Sequence, residues 1–163
     1  MTNRITSVND PRTIRLRSMT RKDLADVVAI EEDSFCYPWG PKDFIECLKQ
    51  RTSIGCVAHD GTGIVGYVLY QLCQDGLIVL NMAVHPWFRH QTVGTQMIQA
   101  LKRKLPVWHK EWITVTVNER SLPAQLFFRA NEFRCVATLS DQYTVCSDDA
   151  YVFEWGLNAT PPL

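Results

Sequence analysis

An almost entirely apolar run at residues 77–84, LIVLNMAV, is the feature that most constrains the fold of this chain. A strand of that composition is typical of a sheet interior covered on both faces. Residues 93–105 follow with apolar positions on one helical face, and the β-branched run WITVTV at 112–117 indicates another strand. This β-α-β crossover predicts that the two strands are parallel neighbours or near neighbours in one sheet.

The rest of the chain predicts a mixed α/β fold around that central sheet, with a single domain spanning residues 13–156 and loose ends at 1–12 and 157–163. Pro106 is expected to stop the helix that begins at residue 93. The other elements are predicted in this order: a strand at 13–18, a helix after a capping-box-like start at Thr20 and Asp23, a helix beginning at Pro41, strands at 53–59 and 63–73, a helix at 121–131, and a closing strand pair.

Composition narrows the functional classes. Lys plus Arg and Asp plus Glu are 17 each, so charge indicates neither a nucleic-acid partner nor a membrane surface. No apolar run approaches the roughly 20 residues that span a bilayer, and residues 1–13 lack the apolar stretch of a signal peptide, so we expect a cytoplasmic protein. The six cysteines and four histidines lack paired metal-ligand spacing. We therefore expect reduced core thiols and no metal site.

The turn in VHPWFRHQTVGTQMI, residues 84–98, joins the apolar strand to the helix. A helix N-terminus after a strand offers free backbone N–H groups and a positive dipole end, which together bind phosphate. Arg89 and His90 add positive charge, but Gly94 is the only glycine in the stretch. From these residues alone a phosphate cradle and an ordinary strand-to-helix turn both remain open.

Longer motifs carry a resemblance to a known family. IRLRSMTRKDLADVVAIEEDSF with a later YPW matches an I-R-x-M-T-x-x-D-L opening, and LNMAVHPWFRHQTVGTQMIQAL matches A-V-x-P-x-x-R-x-x-G-x-G. SLPAQLFFRANEF and SDDAYVFEW match the later helix and closing strand. The chain thus resembles the GCN5-related N-acetyltransferase (GNAT) superfamily, and within it the bacterial family that acetylates the N-terminal alanine of ribosomal protein S18. The resemblance implies a GNAT fold, a mixed central sheet with helices on both faces.

The resemblance also implies acetyl-CoA as the acetyl donor, bound between the strands at 77–84 and 112–117. Thr92 replaces a family glycine, which is tolerable if its backbone is helical and its Cβ points away. Ser121 stands where the family has an asparagine near the cofactor. The backbone of three strand residues is implied to bind the pantetheine arm: Met82, Ala83 and Val84. The pyrophosphate is implied to lie against the turn and first helical residues: Arg89, His90, Gln91, Thr92, Val93, Gly94 and Thr95.

Two positions depart from the family's catalytic pattern. Thr116 stands where relatives commonly have a glutamate, and Phe128 stands where they have a tyrosine that protonates the leaving thiolate. Neither side chain can do that proton work. An α-amine, with a pKa of about 7.7–8.0, is roughly a tenth neutral near pH 7, whereas a lysine amine is almost wholly charged. The missing glutamate therefore favours an α-amine, or another amine of low pKa, over lysine. Together with the resemblance, this predicts direct transfer to the N-terminal α-amine of a protein or peptide.

Three alternatives remain open at this point. A proton-transfer group could lie elsewhere, and the candidates are Tyr143 in the closing strands and Glu32 at the end of the first helix. The protein could bind acetyl-CoA or a partner without turnover. It could also acetylate a small-molecule amine. The sequence indicates no oligomeric state.

Overall fold

The computed structural model describes residues 12–143 and 148–157. The termini that the sequence predicts to be loose fall almost entirely outside these residues. For Asp141, Gln142 and Tyr143 only the backbone is described.

Within the described residues the chain forms seven strands and four α-helices. The strands are β1 (Arg15–Ser18), β2 (Ser53–His59), β3 (Ile64–Leu72), β4 (Gly76–Val84), β5 (Trp112–Asn118), β6 (Arg134–Tyr143) and β7 (Asp148–Gly156). The helices are α1 (Leu24–Glu32), α2 (Pro41–Lys49), α3 (Val93–Val107) and α4 (Leu122–Ala130). The strands form one sheet in the order β1-β2-β3-β4-β5-β7-β6. The predicted mixed α/β fold is confirmed.

The helices cover the two faces of the sheet separately. Helices α1 and α2 bury Val27, Ile30 and Phe44 against Val57, Tyr67 and Leu69 of β2 and β3. On the other face, α3 and α4 pack onto the sheet through a second apolar core, which includes Val93, Met97, Ile98, Leu101, Leu105 and Phe128. Alternation along the strands assigns each side chain to one of these two cores.

The predicted β-α-β crossover is confirmed, because β4 and β5 pair in parallel on either side of α3 in the chain. The sequence prediction for the end of α3 is wrong. The helix continues through Pro106 to Val107, and Trp108 then donates its N–H to Leu105 and Lys104. A proline in the last turn removes only one intrahelical hydrogen bond, so the helix ends just after it instead of at it. None of the helices in the described part of the chain is long and apolar enough to cross a membrane.

Candidate cofactor and acceptor site

A gap opens between β4 and β5 halfway along the pair. The recorded pairs run from Gly76 with Trp112 to Val79 with Val115 and then stop within the described residues, although both strands continue. A β-bulge in β4 lies at this point. Leu69 and Tyr70 of β3 pair with Asn81 and Val79, so Leu80 is the extra residue of the bulge. A bulge bends and twists its strand. The second half of β4 therefore turns its β5-facing edge toward an open gap.

Backbone direction decides which groups of β4 face the gap. His85 N donates to Val65 O at 2.9 Å, so His85 faces β3, and Val84 before it faces the gap. The same alternation directs the N–H and C=O of Met82 into the gap. Ala83 faces β3, and its carbonyl oxygen lies 2.9 Å from the position a Cβ on Gly66 would take. Of the three residues predicted to bind pantetheine, Met82 and Val84 thus present gap-facing groups and Ala83 does not.

Arg89 is committed to contacts within the protein. Its Nε donates to Val84 O at 2.9 Å, and one terminal nitrogen donates to Ser34 Oγ at 2.8 Å. The side chain therefore joins the end of β4 to the segment that follows α1. Its positive charge stays at the outer end of the gap, while the Val84 carbonyl is occupied and the Val84 N–H still faces the gap.

The turn before α3 has the form of an anion cradle. His90 has φ 58° and Thr92 has φ 65°, both in the left-handed region. The first helical hydrogen bond runs from Gln96 N to Thr92 O at 2.9 Å. The amides of residues 93–95 therefore have no carbonyl acceptor within the helix. Left-handed residues beside such amides form concave nests of N–H groups that bind anions. The condition of a helical Thr92 backbone is not met, because Thr92 adopts the left-handed conformation that a glycine favours. Its hydroxyl accepts a hydrogen bond from Gln96 Nε2 at 2.9 Å.

Gly94 has a packing role that its place in the motif did not reveal. A Cβ at this position would lie 3.0 Å from the ring of Phe127 and 3.6 Å from Val84 Cγ2. Because Gly94 lacks a side chain, the start of α3 can approach α4 and the end of β4 closely. Ser121, the residue before α4, is half-buried and makes no side-chain capping hydrogen bond.

The face of the sheet that carries α1 and α2 also carries the side chains on either side of the gap. Ile113, Val115 and Val117 of β5 are buried against the opposite core, so Thr116 points to the α1 and α2 face, where it is exposed. Phe128 is buried in the opposite core, with its ring centroid 5.2 Å from that of Phe133. No proton-transferring side chain is thus supplied by either position.

A buried polar cluster lies beside the gap on the same face. Glu31 of α1 is 1% exposed and accepts hydrogen bonds from Trp39 N at 2.8 Å, from the Tyr67 hydroxyl, and from Asn81 Nδ2 at 3.2 Å. Burial, and then the hydrogen bond to Glu31, raises the pKa of Tyr67 well above its ordinary value. The sequence analysis missed this cluster, although Asn81 is the single polar residue in LIVLNMAV and could have indicated it.

The two residues predicted as proton-transfer candidates are placed differently. Glu32 is exposed at the last position of α1, next to the buried Glu31. Tyr143 ends β6, where its backbone pairs with Asp148, and its side chain lies outside the described residues. In the described part of the chain no group of three His, Cys, Asp or Glu side chains is arranged to hold a metal ion.

The fold and the gap define an acyltransferase of the GNAT class. The family model of the acetyltransferase (GNAT) domain matches residues 51–135, and the chain belongs to this family. A relative from Bacillus subtilis strain 168 is 22% identical over 138 residues, 84% of this chain and 91% of its own. That relative carries the provisional name ribosomal protein bS18-alanine N-acetyltransferase.

Solved structures of other acetyltransferases share the fold. The ribosomal-protein-S18-alanine N-acetyltransferase of Escherichia coli has a TM-score of 0.79 at 17% identity, covering 91% of this chain and 97% of that one. Arabidopsis thaliana NAA60 in complex with acetyl-CoA has a TM-score of 0.75 at 18% identity, covering 90% of this chain and 100% of that one. The predicted GNAT fold is confirmed.

Proposed function

We propose that the protein transfers the acetyl group of acetyl-CoA directly to the N-terminal α-amine of a protein or peptide, in the cytoplasm. One observation carries the proposal: the gap between β4 and β5 runs from the amide cradle of α3 to the face that exposes Thr116. A donor held along β4 therefore presents its thioester where an amine can arrive from the α1 and α2 face.

The donor assignment rests on groups that match acetyl-CoA part by part. The amides of residues 93–95 suit a pyrophosphate, and the N–H and C=O of Met82 suit the amides of a pantetheine arm. Arabidopsis thaliana NAA60, which shares the fold, has been solved in complex with acetyl-CoA. The gap-facing N–H of Val84 or Met82 would polarise the thioester carbonyl as the oxygen gains negative charge.

The acceptor assignment rests on the lack of a general base at Thr116. An α-amine needs less help to lose its proton than a lysine amine, because its pKa lies about 2.5 units lower. The Bacillus subtilis relative and the Escherichia coli enzyme both carry the name of an N-acetyltransferase acting on alanine of ribosomal protein S18. We propose an acceptor of the same chemical kind. Tyr143 and Glu32 stay proposals for additional proton transfer, and Glu32 has the less favourable, exposed position.

A peptide panel tests this function. Purified protein and acetyl-CoA are incubated with hexapeptides that differ in their first residue, including one beginning with alanine, and products are read by mass spectrometry. The matched control has the same sequence with a blocked α-amine and one internal lysine. We expect acetylation of free α-amines and little or none of the control. Transfer to lysine alone, or to no amine, would contradict the proposal.

A second candidate function has its own observation in its favour. Thr116 and Phe128 place no proton-transferring group beside the gap, which is compatible with binding of acetyl-CoA without turnover. Calorimetric titration with acetyl-CoA, run beside the peptide panel, distinguishes the two candidate functions. Binding with turnover supports the transferase, and binding without turnover of any amine supports a sensor or a partner subunit.

A further inference from the structure

The buried cluster of Glu31, Tyr67 and Asn81 has a consequence for the acceptor amine. All three donors recorded to the Glu31 carboxylate in the described residues are neutral: a backbone N–H, a phenol and an amide. Both Glu31 oxygens accept hydrogen bonds, which is the pattern of a negatively charged carboxylate, and within the described residues no cation contacts them. That charge favours a neighbouring group that carries or develops positive charge.

The orientation of the Asn81 amide follows from its contacts. One amide atom lies 3.2 Å from both Glu31 oxygens. A carboxylate only accepts hydrogen bonds, so this atom is the nitrogen, and the Asn81 oxygen points away from Glu31.

Within this cluster the Asn81 side-chain oxygen receives no hydrogen-bond proton. It lies 3.2 Å from the Tyr67 hydroxyl, which has a single proton. The Tyr67 hydroxyl also contacts Glu31, and a charged acceptor takes the proton in preference to a neutral amide oxygen. The raised pKa of Tyr67 keeps this phenol protonated. The free lone pairs of Asn81 Oδ1 are therefore available to a further N–H donor.

The position of Asn81 brings that oxygen to the reaction site. Asn81 follows the bulge at Leu80, where β4 leaves β5, and directly precedes Met82, whose backbone faces the gap. Its side chain lies on the α1 and α2 face, as does that of Thr116 across the gap. An amine that attacks a thioester held along β4 from this face must pass close to Asn81.

We propose that Asn81 Oδ1 accepts a hydrogen bond from the attacking amine and that Glu31 is a positioning residue that keeps the Asn81 amide turned for this contact. In the transfer step, the amine lone pair forms the C–N bond. The C–S bond breaks, and the electron pair of that bond leaves with the CoA thiolate. The nitrogen becomes positively charged before it gives its surplus proton, through solvent, to that thiolate. The hydrogen bond to Asn81 and the Glu31 charge behind it stabilise this positive nitrogen. The inference rests on the proposed transferase function.

The test compares kcat, the KM for the acceptor peptide and the Kd for acetyl-CoA in three variants. Asn81→Ala is expected to lower kcat about 10- to 100-fold, the usual loss for one hydrogen bond to a charged group, with the Kd for acetyl-CoA unchanged within twofold. Glu31→Gln is expected to lower kcat about tenfold in the same selective way, because a glutamine can donate to Asn81 and lets its amide turn round. Gln71→Ala, which removes an exposed amide of β3 whose partner is Thr52, serves as control and should leave all three constants unchanged.

Asn81→Thr keeps a hydrogen-bond-accepting oxygen and a strand-forming side chain, and should recover part of the lost kcat even where the alanine variant folds poorly. Loss of acetyl-CoA affinity at unchanged kcat, or wild-type kcat in Asn81→Ala, would overturn the inference and leave the transferase function standing. A wild-type protein that acetylates no amine would overturn both. A loss in Glu31→Gln that follows its thermal stability, with kcat unaffected below the unfolding transition, would reduce Glu31 to a structural role.

Discussion

Thr92 is a β-branched residue in the left-handed region, with φ 65°, and this conformation is costly for a residue with a Cβ. The expected cost is about 1–2 kcal/mol, partly offset by the freedom that a glycine gains in the unfolded chain, about 0.5–1 kcal/mol. We therefore expect Thr92→Gly to be more stable than Thr92→Ala by about 1 kcal/mol. Urea unfolding of the two variants measures the difference.

The comparison with alanine isolates the cost of the left-handed backbone conformation, because both variants lose the hydroxyl that accepts a hydrogen bond from Gln96. If Thr92→Ala were as stable as Thr92→Gly, the left-handed conformation at this position would carry no measurable cost. The wild type, which keeps the Gln96 contact, is expected to lie between the two variants or close to the glycine variant.

Thr116 permits a gain-of-function prediction. The side chain is exposed on the face from which we expect the amine to arrive, where a carboxylate could accept its proton. Since a general base contributes typically about 10²–10⁴-fold, we expect Thr116→Glu to raise kcat at neutral pH at least about tenfold. The increase should be larger for a lysine-bearing peptide, whose amine is less often neutral.

Steady-state kinetics with the α-amine and lysine peptides check this prediction. Thr138→Glu places the same charge on an exposed position of β6 and should change neither rate. An unchanged kcat in Thr116→Glu would mean that proton removal does not limit the reaction, or that the amine approaches by another route.

At the scale of elements, most of the fold could be predicted from local patterns. The apolar run of β4, the β-branched run of β5 and the proline at the start of α2 gave the right elements to within a residue or two. The turn between β2 and β3 contains Asp60-Gly61, a dipeptide typical of hairpin turns, and Gly61 has φ 97°. These signals are local, so tertiary packing did not need to be known.

The site was less predictable, because its parts come together only through long-range contacts. Helical spacing puts Glu31, four residues after Val27, on the face toward the sheet, but the side chains that satisfy its buried carboxylate come from β3 and β4, far along the chain. The contact of Gly94 with Phe127 joins two helices far apart in sequence. The left-handed backbone at Thr92 contradicts the preference of its own side chain. The match to a family glycine was not enough to predict it.

The joint between β1 and α1 supplies a pH-dependent prediction. Asp23 is buried and accepts two hydrogen bonds from Arg17, each 2.8 Å long, and two more from the N–H and hydroxyl of Thr20. The bond from Arg17 is the largest influence, and together these contacts hold the pKa of Asp23 well below its usual range despite the opposing effect of burial. The stabilisation is therefore full above the unfolded pKa of about 4 and is lost as the pH falls toward the lower folded value.

We expect Asp23→Asn to lower the free energy of unfolding at pH 7 by about 1.5–3 kcal/mol, the range for hydrogen bonds to charged groups. The difference in free energy of unfolding between the variant and the wild type should shrink as the pH falls below about 4, because the wild-type carboxylate then becomes protonated. Urea unfolding at pH 7, 4 and 3 measures both effects. Asp26→Asn, at an exposed position of α1, serves as control and should stay within about 0.5 kcal/mol of wild type. A difference in unfolding free energy that stayed constant with pH would show that the charge of Asp23 contributes nothing to stability.

At the scale of the whole molecule, the helices leave the sheet unequally covered. On one face, α1 and α2 contact β2, β3 and β4, whereas β5 exposes Thr116 on the same side. The other face is closed by α3 and α4 over a continuous core. A donor bound as we propose, at the centre of the sheet between its two halves, would bridge strands that no longer pair with each other.

Acetyl-CoA should therefore stabilise the whole domain. At 100 times its Kd, a ligand specific for the folded state adds about 2.7 kcal/mol, which for a chain of this size is a rise in Tm of about 5–10 °C. Thr95→Glu puts a negative charge on the first turn of α3, which suits the helix itself but repels a phosphate. We expect this variant to keep the Tm of the free protein and to show about half the rise, as a tenfold weaker Kd requires. Arg103→Gln changes the net charge by the same amount at an exposed site farther along α3 and should show the full rise. Equal rises in all three proteins, measured by calorimetry at one ligand concentration, would place the pyrophosphate away from the α3 N-terminus.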